Sequence, residues 1–399
     1  MVLQDKIKKS ILMLGGIEEQ IVAIKKAKDM GLYVITCDNR PDNPGHKYAD
    51  AYYNVSITNK DAVLQLAKEL QVDAVVCYSL EAGVEAAAYA QQQLGKPTSP
   101  YESVRILSNK ILFRKFLKDN GFCVPKVYTL EDVKNPDVCI EYPVVVKPAD
   151  LWGSRGFSRV DKAEELQAAI DFAMECSRFG EIIIEQFIEP MGAPIEGDGF
   201  SVNGKFTAHA WSDCIADPDA PNSTTPTMFC YPSKTPTPLL KRLDAEVQRL
   251  LELLNMQTNG YNIEVRITAD GSIYLMEVAP RNGGNAHPLI VSMATGNDLI
   301  EATILAALGE DCSHIADTPC KGYWCSCILH SNTSGIFQGV EFDKDFQEKN
   351  LVSCDLYLKQ GDDVLPYSGT NCSVGIVIAR FDRREDMKVD YKLLIDKKN

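Results

Sequence analysis

Hydrophobic residues in the first hundred positions form short runs that alternate with amphipathic stretches. "SILMLGG" (10–16) is an apolar run ending in glycines, which predicts a buried strand. The next segment places apolar residues at helical spacing up to Gly31, and "LYVITCDNR" (32–40) then predicts a second strand. Helix and strand recur in "DAVLQLAKELQVDAVVCYS" (61–79). This alternation predicts an α/β domain over residues 1–98, with a parallel sheet covered by helices.

Beyond residue 98 the pattern predicts a helix that follows the polar joint "GKPTSPYES". Ser108 is the candidate N-cap of this helix, and Gly121 is its stop. The predicted apolar face consists of Ile111, Leu112, Phe116 and Leu117. Strand, glycine-rich loop, helix and hairpin patterns follow, which predicts an α+β domain over residues 99–310.

The C-terminal residues alternate strand-like runs with turns. "YWCSCILH" (323–330) and "SVGIVIARF" (373–381) are rich in β-branched and aromatic residues. The pattern predicts a small β-rich domain over residues 311–399.

Charge and composition argue against several classes of partner. The chain has 41 basic and 55 acidic residues, a formal net charge of −14, which repels phosphate backbones and anionic lipid alike. We therefore expect neither nucleic acid nor a membrane surface as a partner. No stretch approaches the roughly 18 apolar residues of a membrane helix. The 13 cysteines contain no C-x-x-C pair, so we expect reduced thiols in a cytoplasmic protein.

The first strand invites comparison with a dinucleotide site, because Gly15 and Gly16 are followed by Asp38 at the end of the next strand. A G-x-G-x-x-G fingerprint needs a third glycine, and Gln20 stands near its place. The pattern therefore argues against a nicotinamide cofactor.

"YPVVVKPADLWGSRGFSRV" (142–160) carries the first candidate site. Its apolar strand delivers Lys147, and Gly153, Ser154 and Gly156 form a loop whose backbone N–H groups can approach an anion closely. Such a loop can fold over phosphates. A hairpin with a solvated lysine at its edge explains the same residues, and this stretch alone leaves both interpretations open.

"EIIIEQFIEP" (181–190) is a strand that is apolar except near its end. An apolar slot with one backbone carbonyl and one backbone N–H can hold a planar base such as adenine, and residues 186–188 can supply both groups. A buried strand that runs into a polar turn is the simpler explanation of this segment taken alone.

"NIEVRI" (262–267) and "IYLMEV" (273–278) flank "TADGS", which predicts a hairpin. The hairpin can bring Glu264 and Glu277 together, and paired carboxylates favour a cation between them, since Mg²⁺ takes one or two carboxylates plus phosphate oxygens. Arg281 follows Pro280 and can stabilise charge on a phosphoryl or acyl phosphate group, and Arg266 can share that role. A solvated acidic pair neutralised by these arginines is the alternative.

In their order and spacing these elements resemble the ATP-grasp superfamily over residues 1–310. The matching elements are Lys110 at a helix start, Lys147 at a strand end, the glycine loop, the "EQFI" segment, Glu264, Glu277 and Arg281. The resemblance implies an N-terminal parallel-sheet domain and a two-subdomain ATP-grasp core, with the glycine-loop subdomain at about 125–185. Residues 311–399 look similar to the extra domain of L-amino acid ligases.

The resemblance also implies roles for individual residues. Lys110 and Lys147 would contact the ATP phosphates, and the glycine loop would cover them. The hinge from Glu185 to Ile188 would read adenine. Either Glu189 or Glu196 would bind ribose, with Glu196 preferred because a hairpin-like "GDGFSVNGK" follows it.

The predicted metal is Mg²⁺, for which Mn²⁺ can substitute, held by Glu264 and Glu277. Many superfamily members have an asparagine two residues after the second glutamate, whereas this chain has Ala279, which leaves the number of ligands in doubt. Ser79, Glu81 and His287 are candidates for contact with substrate, because similar strand ends face the substrate cleft in related ligases.

The implied activity is that of an ATP-dependent ligase that activates a carboxylate as an acyl phosphate for attack by an amine. Its partners would be small-molecule acids and amines, and a homodimer is plausible by resemblance. Two alternatives stay open: a carbamoyl phosphate synthetase-like or ribonucleotide-carboxylase-like enzyme that uses bicarbonate, and an ATP-binding module without turnover.

Overall fold

The computed structural model describes residues 8–149, 156–177 and 180–397. The N-terminal region is a parallel sheet in the order β3-β2-β1-β4, as the alternating pattern predicts. Its strands are β1 (Ser10–Leu14), β2 (Tyr33–Cys37), β3 (Ala51–Tyr53) and β4 (Ala74–Val76). The helices are α1 (Ile21–Asp29), α2 (Lys60–Glu69) and α3 (Val84–Gln93). All residues of β1 after the first are buried, which explains its continuous apolar run.

Two helices connect this sheet to the rest of the chain, α4 (Tyr101–Ser108) and α5 (Lys110–Asp119). The N-cap of α5 is Asn109, whose side-chain oxygen accepts hydrogen bonds at 3.0 Å from the backbone N–H groups of the second and third helical residues. The prediction of Ser108 as the N-cap is therefore wrong, because Ser108 is the last residue of α4.

The buried face of α5 also differs from the predicted one. It consists of Lys110, Phe113, Arg114 and Leu117, whereas Ile111 is 44% exposed. These buried residues follow the i, i+3, i+4, i+7 spacing of one helical face. The prediction failed because it considered only apolar residues, whereas two of the four buried residues are basic.

A small antiparallel sheet follows, in the order β5-β8-β6-β7. Its strands are β5 (Val127–Tyr128), β6 (Val144–Pro148), β7 (Ser158–Val160) and β8 (Ile182–Gln186). The helices of this region are α6 (Leu130–Lys134) and α7 (Ala163–Cys176). Helix α7 packs its apolar side on this sheet, so Lys147 and the end of β8 are held on one rigid layer.

The largest sheet has eight antiparallel strands, in the order β13-β12-β9-β10-β11-β14-β18-β16. Its first strands are β9 (Ile195–Val202), β10 (Lys205–Ala216), β11 (Pro226–Tyr231), β12 (Asn259–Ile267) and β13 (Ile273–Ala279). The accompanying helices are α8 (Thr237–Leu253), α9 (His287–Thr295) and α10 (Leu299–Leu308). The predicted hairpin at "TADGS" joins β12 to β13, with Gly271 at φ +79° in the turn.

The predicted β-rich character of the C-terminal region is confirmed. Its strands are β14 (Tyr323–Leu329), β15 (Gly335–Phe342), β16 (Leu351–Leu356), β17 (Asp363–Val364), β18 (Gly375–Phe381) and β19 (Tyr391–Asp396), with helix α11 (Lys344–Lys349). Three of them form a separate sheet, β17-β15-β19, while β14, β16 and β18 extend the large sheet through the β11–β14 pair. The division of the chain at residues 98 and 310 stays a prediction.

One hydrophobic cluster joins the N-terminal sheet to the large sheet. It contains Leu12 and Val75 from the former, Phe113 from α5, and Ile263 and Val278 from the latter. Because these side chains are almost fully buried, the loops after β1 and β4 are held at a fixed position beside the end of β13.

In the described part of the chain, no single helix has the length and apolar character needed to cross a membrane. Helices α9 and α10 meet that test only as a pair, by length and composition, and they are bent by 105° at the break between them.

Candidate active site

A cavity of about 710 Å³ lies between the N-terminal sheet, the small sheet and the large sheet. Most residues predicted for the site line it. These are Ser79, Glu81, Lys110, Lys147, Glu185, Gln186, Phe187, Ile188, Glu196, Glu264, Arg266, Glu277 and Arg281. Residues that are far apart in the sequence therefore share one wall, which makes the cavity the candidate active site.

Three glutamates form a row across neighbouring strands on the floor of the cavity. Glu264 of β12 lies opposite Glu277 of β13, and on its other side it lies opposite Glu196 of β9. Side chains at paired positions of antiparallel strands project to the same face of a sheet. We refer to Glu196, Glu264 and Glu277 as the acid row.

Burial and mutual repulsion disfavour the charged forms of Glu196 and Glu264 in the acid row. The Glu264 side chain faces the cavity but is closely surrounded by protein. The resulting loss of bulk water, together with the charge of Glu277, raises the pKa of Glu264. Burial and the neighbouring Glu264 raise the pKa of Glu196 well above its usual range. A cation bound at the acid row would therefore reduce the repulsion between its carboxylates.

The residues present fit a divalent cation that is shared with a phosphate ligand. The Nζ atom of Lys110 lies 3.3 Å from Glu277 Oε2, so cationic and anionic groups already alternate on this wall. Across residues 8–149, 156–177 and 180–397, no three His, Cys, Asp or Glu side chains are arranged to hold a metal by themselves. Mg²⁺ commonly takes one or two carboxylates and completes its shell with phosphate oxygens and water, which matches this donor set.

Lys147 sits in a buried ion-pair network that includes a residue missed from the sequence. Its Nζ lies 2.6 Å from Glu185 Oε1, and Arg114 Nε of α5 lies 2.9 Å from Glu185 Oε2. Burial alone would raise the pKa of Glu185, but the charges of Arg114 and Lys147 hold that pKa far below its usual range. The only sequence signal for Arg114 was its four-residue spacing from Lys110.

The structure limits which atoms of the hinge from Glu185 to Ile188 can contact adenine. The Glu185 side chain is only 1% exposed and is engaged by the two cations. The backbone N–H of Gln186 donates to Lys126 O, and that of Phe187 donates to Pro143 O. The backbone of Ile188, which also lines the cavity, is therefore the better candidate donor to a base.

The two glutamates considered for ribose differ in position. Glu196 lines the cavity, whereas the side chain of Glu189 is 75% exposed and lies near Arg159. This placement favours Glu196, as predicted.

The two candidate catalytic arginines lie on opposite sides of the acid row. Arg266 pairs with Tyr274 on the turn side of the row, and its guanidinium lies 5.1 Å from the ring centre of Phe187 in the hinge. Arg281 lies beyond the opposite end of β13. The prediction that Arg266 shares the role of Arg281 does not fit this arrangement, because the row separates them.

Arg281 is 7% exposed and forms an ion pair with Glu81, another predicted residue. Its Nη1 donates to Asn282 O at 2.9 Å, while its Nε has no hydrogen-bond partner among the described residues. Burial lowers the pKa of Arg281 to about 10, so the guanidinium remains charged at neutral pH. A buried cation with an unused donor is suited to bind an anionic group that enters the cavity.

His287 is not among the residues that line the cavity, which corrects the prediction that it contacts substrate. It is fully buried, its Nδ1 is hydrogen-bonded to the Tyr231 hydroxyl, and its Nε2 lies 3.4 Å from Glu196 Oε1. Burial lowers the pKa of His287 to about 3, so the ring is neutral. His287 therefore lies beside Glu196 but outside the cavity.

The glycine loop is largely outside the described residues, including Gly153 and Ser154. Gly156 is described, with φ +71° and a buried position where an added Cβ would lie 2.8 Å from Pro148 and Cys176 side-chain atoms. Close packing against Pro148 and Cys176 therefore explains why a glycine is needed at this position. Gly156 is not among the residues that line the cavity.

Sequence reasoning missed the far end of the cavity, beyond Arg281. Glu18 and Glu19 line it from the turn after β1, and Tyr357, Thr370, Asn371 and Ser373 line it from the C-terminal region. Glu18 and Glu19 had a usable signal, since ligands in α/β sheets bind beyond the carboxyl ends of strands. The C-terminal residues had none, because their position depends on long-range pairing.

Comparison with known proteins agrees with this geometry. Residues 140–288 match the family model of the ATP-grasp domain. The large chain of carbamoyl phosphate synthase from Thermoanaerobacter sp. (strain X514) is 22% identical over 316 residues, which cover 74% of this chain and 28% of that protein. The chain thus spans less than a third of that relative.

Two solved structures share the fold. The L-amino acid ligase of Bacillus licheniformis superposes with a TM-score of 0.78 at 21% identity, covering 95% of both chains. The biotin carboxylase domain dimer of Hydrogenobacter thermophilus 2-oxoglutarate carboxylase, solved with magnesium-ADP, ADP and bicarbonate, gives 0.72 at 18% identity, covering 94% of this chain and 86% of that one. The ATP-grasp family match at residues 140–288 and the shared fold agree with the resemblance drawn from the sequence.

Proposed function

We propose that this protein is an ADP-forming ligase that uses ATP to activate a carboxylate as an acyl phosphate and joins it to an amine. The observation that carries this proposal is the meeting of Lys110, Lys147 and the acid row in one cavity. Lysines suited to phosphate lie beside carboxylates suited to Mg²⁺, with the buried Arg281 beyond them.

Nucleotide binding would use the end of the cavity formed by the small sheet. Lys110 and Lys147 would bind phosphate oxygens, each exchanging part of its present carboxylate contact for the ligand. Ile188 would offer its backbone N–H to adenine, and Glu196 would accept hydrogen bonds from ribose. The ion-pair network around Glu185 would keep Lys147 in place before nucleotide arrives.

Glu264 and Glu277 would hold Mg²⁺ or Mn²⁺, which when bound would neutralise phosphate charge and align the reacting groups. The position of the expected asparagine is taken by Ala279, but Asn262 lies directly opposite it on β12. The Nδ2 of Asn262 donates to Glu196 Oε1 at 3.0 Å and to Asp198 Oδ1 at 3.1 Å. An amide is thus present in the neighbouring strand, where it orders the acid row.

Arg281 would bind the oxygens of the acyl phosphate and of the tetrahedral species formed when the amine attacks. A donor that is already buried and oriented needs little rearrangement in the transition state, which makes its contribution large. Its ion pair with Glu81 keeps the guanidinium at the boundary between the nucleotide end and the substrate end.

The far end of the cavity favours a cationic substrate. Glu18, Glu19 and Glu81 line this end together with Arg281, and Glu81 forms an ion pair with the guanidinium. Such a wall attracts an ammonium group and disfavours a second small anion. We therefore prefer an amine-using ligase to an enzyme whose acid substrate is bicarbonate. A homodimer remains a prediction.

The decisive experiment measures ADP release with Mg²⁺ and ATP against a panel of amino acids, singly and in pairs, with bicarbonate as a separate arm. We expect ADP formation only when an acid and an amine are both present, together with a product one water lighter than their sum. Stimulation by bicarbonate alone would overturn the choice of substrate. Absence of ADP in every arm, with nucleotide binding intact, would establish an ATP-binding module instead.

A further inference from the structure

Two loops from different domains face each other behind Arg281. Residues 79–81 follow strand β4 of the N-terminal sheet, and residues 281–283 follow strand β13 of the large sheet. The Oγ of Ser79 donates a buried hydrogen bond of 2.6 Å to Gly283 O. Two residues away on each loop, Glu81 and Arg281 form their ion pair. The loops are thus joined at two points.

The Gly283 peptide is also held from its other side. Its N–H donates to Asp198 Oδ2 at 2.8 Å, and Asp198, which is fully buried on β9, is fixed in turn by Asn262. Both polar atoms at this residue are therefore used, one by the N-terminal domain and one by the large sheet. A residue with both backbone polar atoms bonded to separate elements has little freedom to shift.

Local geometry shows how tightly this position is fitted. An added Cβ at Gly283 would collide with the Asp198 carboxylate and lie 2.8 Å from Asn262 Nδ2. Ser79 has φ +54°, a conformation that residues other than glycine, asparagine and aspartate rarely adopt. Backbone strain of this kind is retained where the surroundings enforce it, commonly at functional sites.

We propose that Ser79 and Asp198 are positioning residues for Arg281, and that they act by holding the Gly283 peptide from opposite sides. The N-terminal domain then helps to aim the guanidinium that faces the reacting groups. This inference rests on the proposed function for the role of Arg281, but the holding of the peptide stands on the contacts alone. It also gives Ser79 a role other than substrate contact.

The test compares Ser79→Gly with Ser103→Ala. Glycine adopts φ +54° without strain, so Ser79→Gly removes the hydroxyl and little else. Ser103 is a matched control, because its Oγ donates a buried 2.6 Å hydrogen bond to Leu254 O, likewise between the N-terminal part of the chain and the core. Ser103 does not line the cavity, and its hydroxyl is not part of the proposed machinery.

We expect Ser79→Gly to lower kcat for ADP formation by about 10- to 100-fold while KM for ATP changes less than about twofold, as displacement of a catalytic group predicts. Ser103→Ala should retain kcat. Equal kcat values in the two variants, or a rise in KM for ATP that matches the fall in kcat, would overturn the positioning role.

A second measurement does not depend on activity. Hydrogen–deuterium exchange should be faster across residues 280–287 in Ser79→Gly and in Asp198→Asn, and unchanged there in Ser103→Ala. Unchanged exchange in both site variants would refute the holding of the peptide. Faster exchange in a protein that forms no ADP with any substrate would refute the proposed function but keep the structural part of the inference.

Discussion

Glu264 lies directly opposite Glu277 across two antiparallel strands, so two carboxylates project from one face of the sheet into the same cavity. Like charges at such positions are unfavourable unless a cation or a cationic side chain compensates them. Here Lys110 compensates Glu277 in part. The pair is therefore poised for ligand binding at some expense to the stability of the free protein.

Replacement of one carboxylate should separate stability from binding. We expect Glu264→Gln to raise the free energy of unfolding without ligand by about 0.5–1 kcal/mol, since it removes a repulsion that solvent partly screens. The same variant should lose most of the thermal stabilisation that magnesium-ATP gives the parent. Glu341→Gln, an exposed strand glutamate outside the cavity, is the control. Full stabilisation of Glu264→Gln by magnesium-ATP would remove Glu264 from the metal site.

Glu277→Gln should abolish turnover while it leaves the fold intact. The side chain is 17% exposed at the end of β13 and its substitution by an isosteric amide keeps the volume. Loss of one charged ligand near the phosphates should lower ADP formation by roughly 100-fold or more. Steady-state ADP release and circular dichroism measure the two properties. Turnover equal to that of the parent would contradict the metal assignment.

The buried ion pairs of Glu185 with Arg114 and Lys147 should affect the free energy of unfolding. Glu185→Gln leaves Arg114 and Lys147 buried without their counter-charge, and breaking such a pair typically costs about 3–5 kcal/mol. Denaturant unfolding at neutral pH measures this. The exposed pair of Lys126 and Glu141 offers the control, since Glu141→Gln should change stability by less than about 1 kcal/mol.

The same network predicts a pH dependence. Because the folded state holds the pKa of Glu185 below its ordinary value of 4.5, ionised Glu185 stabilises the fold fully above that value. The contribution is lost as pH falls below about 4.5 towards the folded pKa. Unfolding curves between pH 3 and 7 should therefore decline at the acid end in the parent and less so in Glu185→Gln. Parallel curves would contradict this assignment.

The amine site can be tested at Glu19. Burial raises the pKa of Glu19, and its Oε1 accepts a hydrogen bond from Asn285 N at 3.5 Å. Glu19→Gln keeps that oxygen but removes the charge, so KM for the amine should rise about tenfold, as expected for a lost charge-assisted contact. KM for ATP should not change. Glu69→Gln on α2 is the surface control, and an effect confined to ATP would contradict the amine site.

Local patterns were enough to predict the main strands and the hairpin that carries the two glutamates. The hairpin turn at "TADGS" is encoded within five residues and sets the pairs nearest to it, but the Glu264–Glu277 pair also depends on a register shift between Glu264 and Val265. Glu196 joins the acid row only because β9 pairs with β12, a contact between residues 68 positions apart that no local pattern specifies. The same limit applies to Tyr357, Thr370, Asn371 and Ser373.

Charged residues in buried positions were the second source of error. Arg114 was not singled out from the sequence, because an isolated buried cation is unfavourable and only its partner Glu185 makes the position stable. His287 was predicted to face substrate by resemblance to related ligases, but its side chain is directed inward, against Tyr231. In both cases the missing information was the identity of a distant partner.

The uninterrupted ladder between β11 and β14, where Met228 lies opposite Cys327 and Tyr231 opposite Trp324, has a practical consequence for protein engineering. A fragment that ends at residue 288, where the family match ends, would lack β14 and leave β11 as an unpaired edge strand. Because such edges pair with other chains, we expect this fragment to aggregate. Substrate preference could instead be altered by exchanging Thr370, Asn371 and Ser373, which line the cavity but lie outside the strands that carry the carboxylates. Redesign should therefore keep the β11–β14 pair intact and vary only the cavity-lining residues outside the strands.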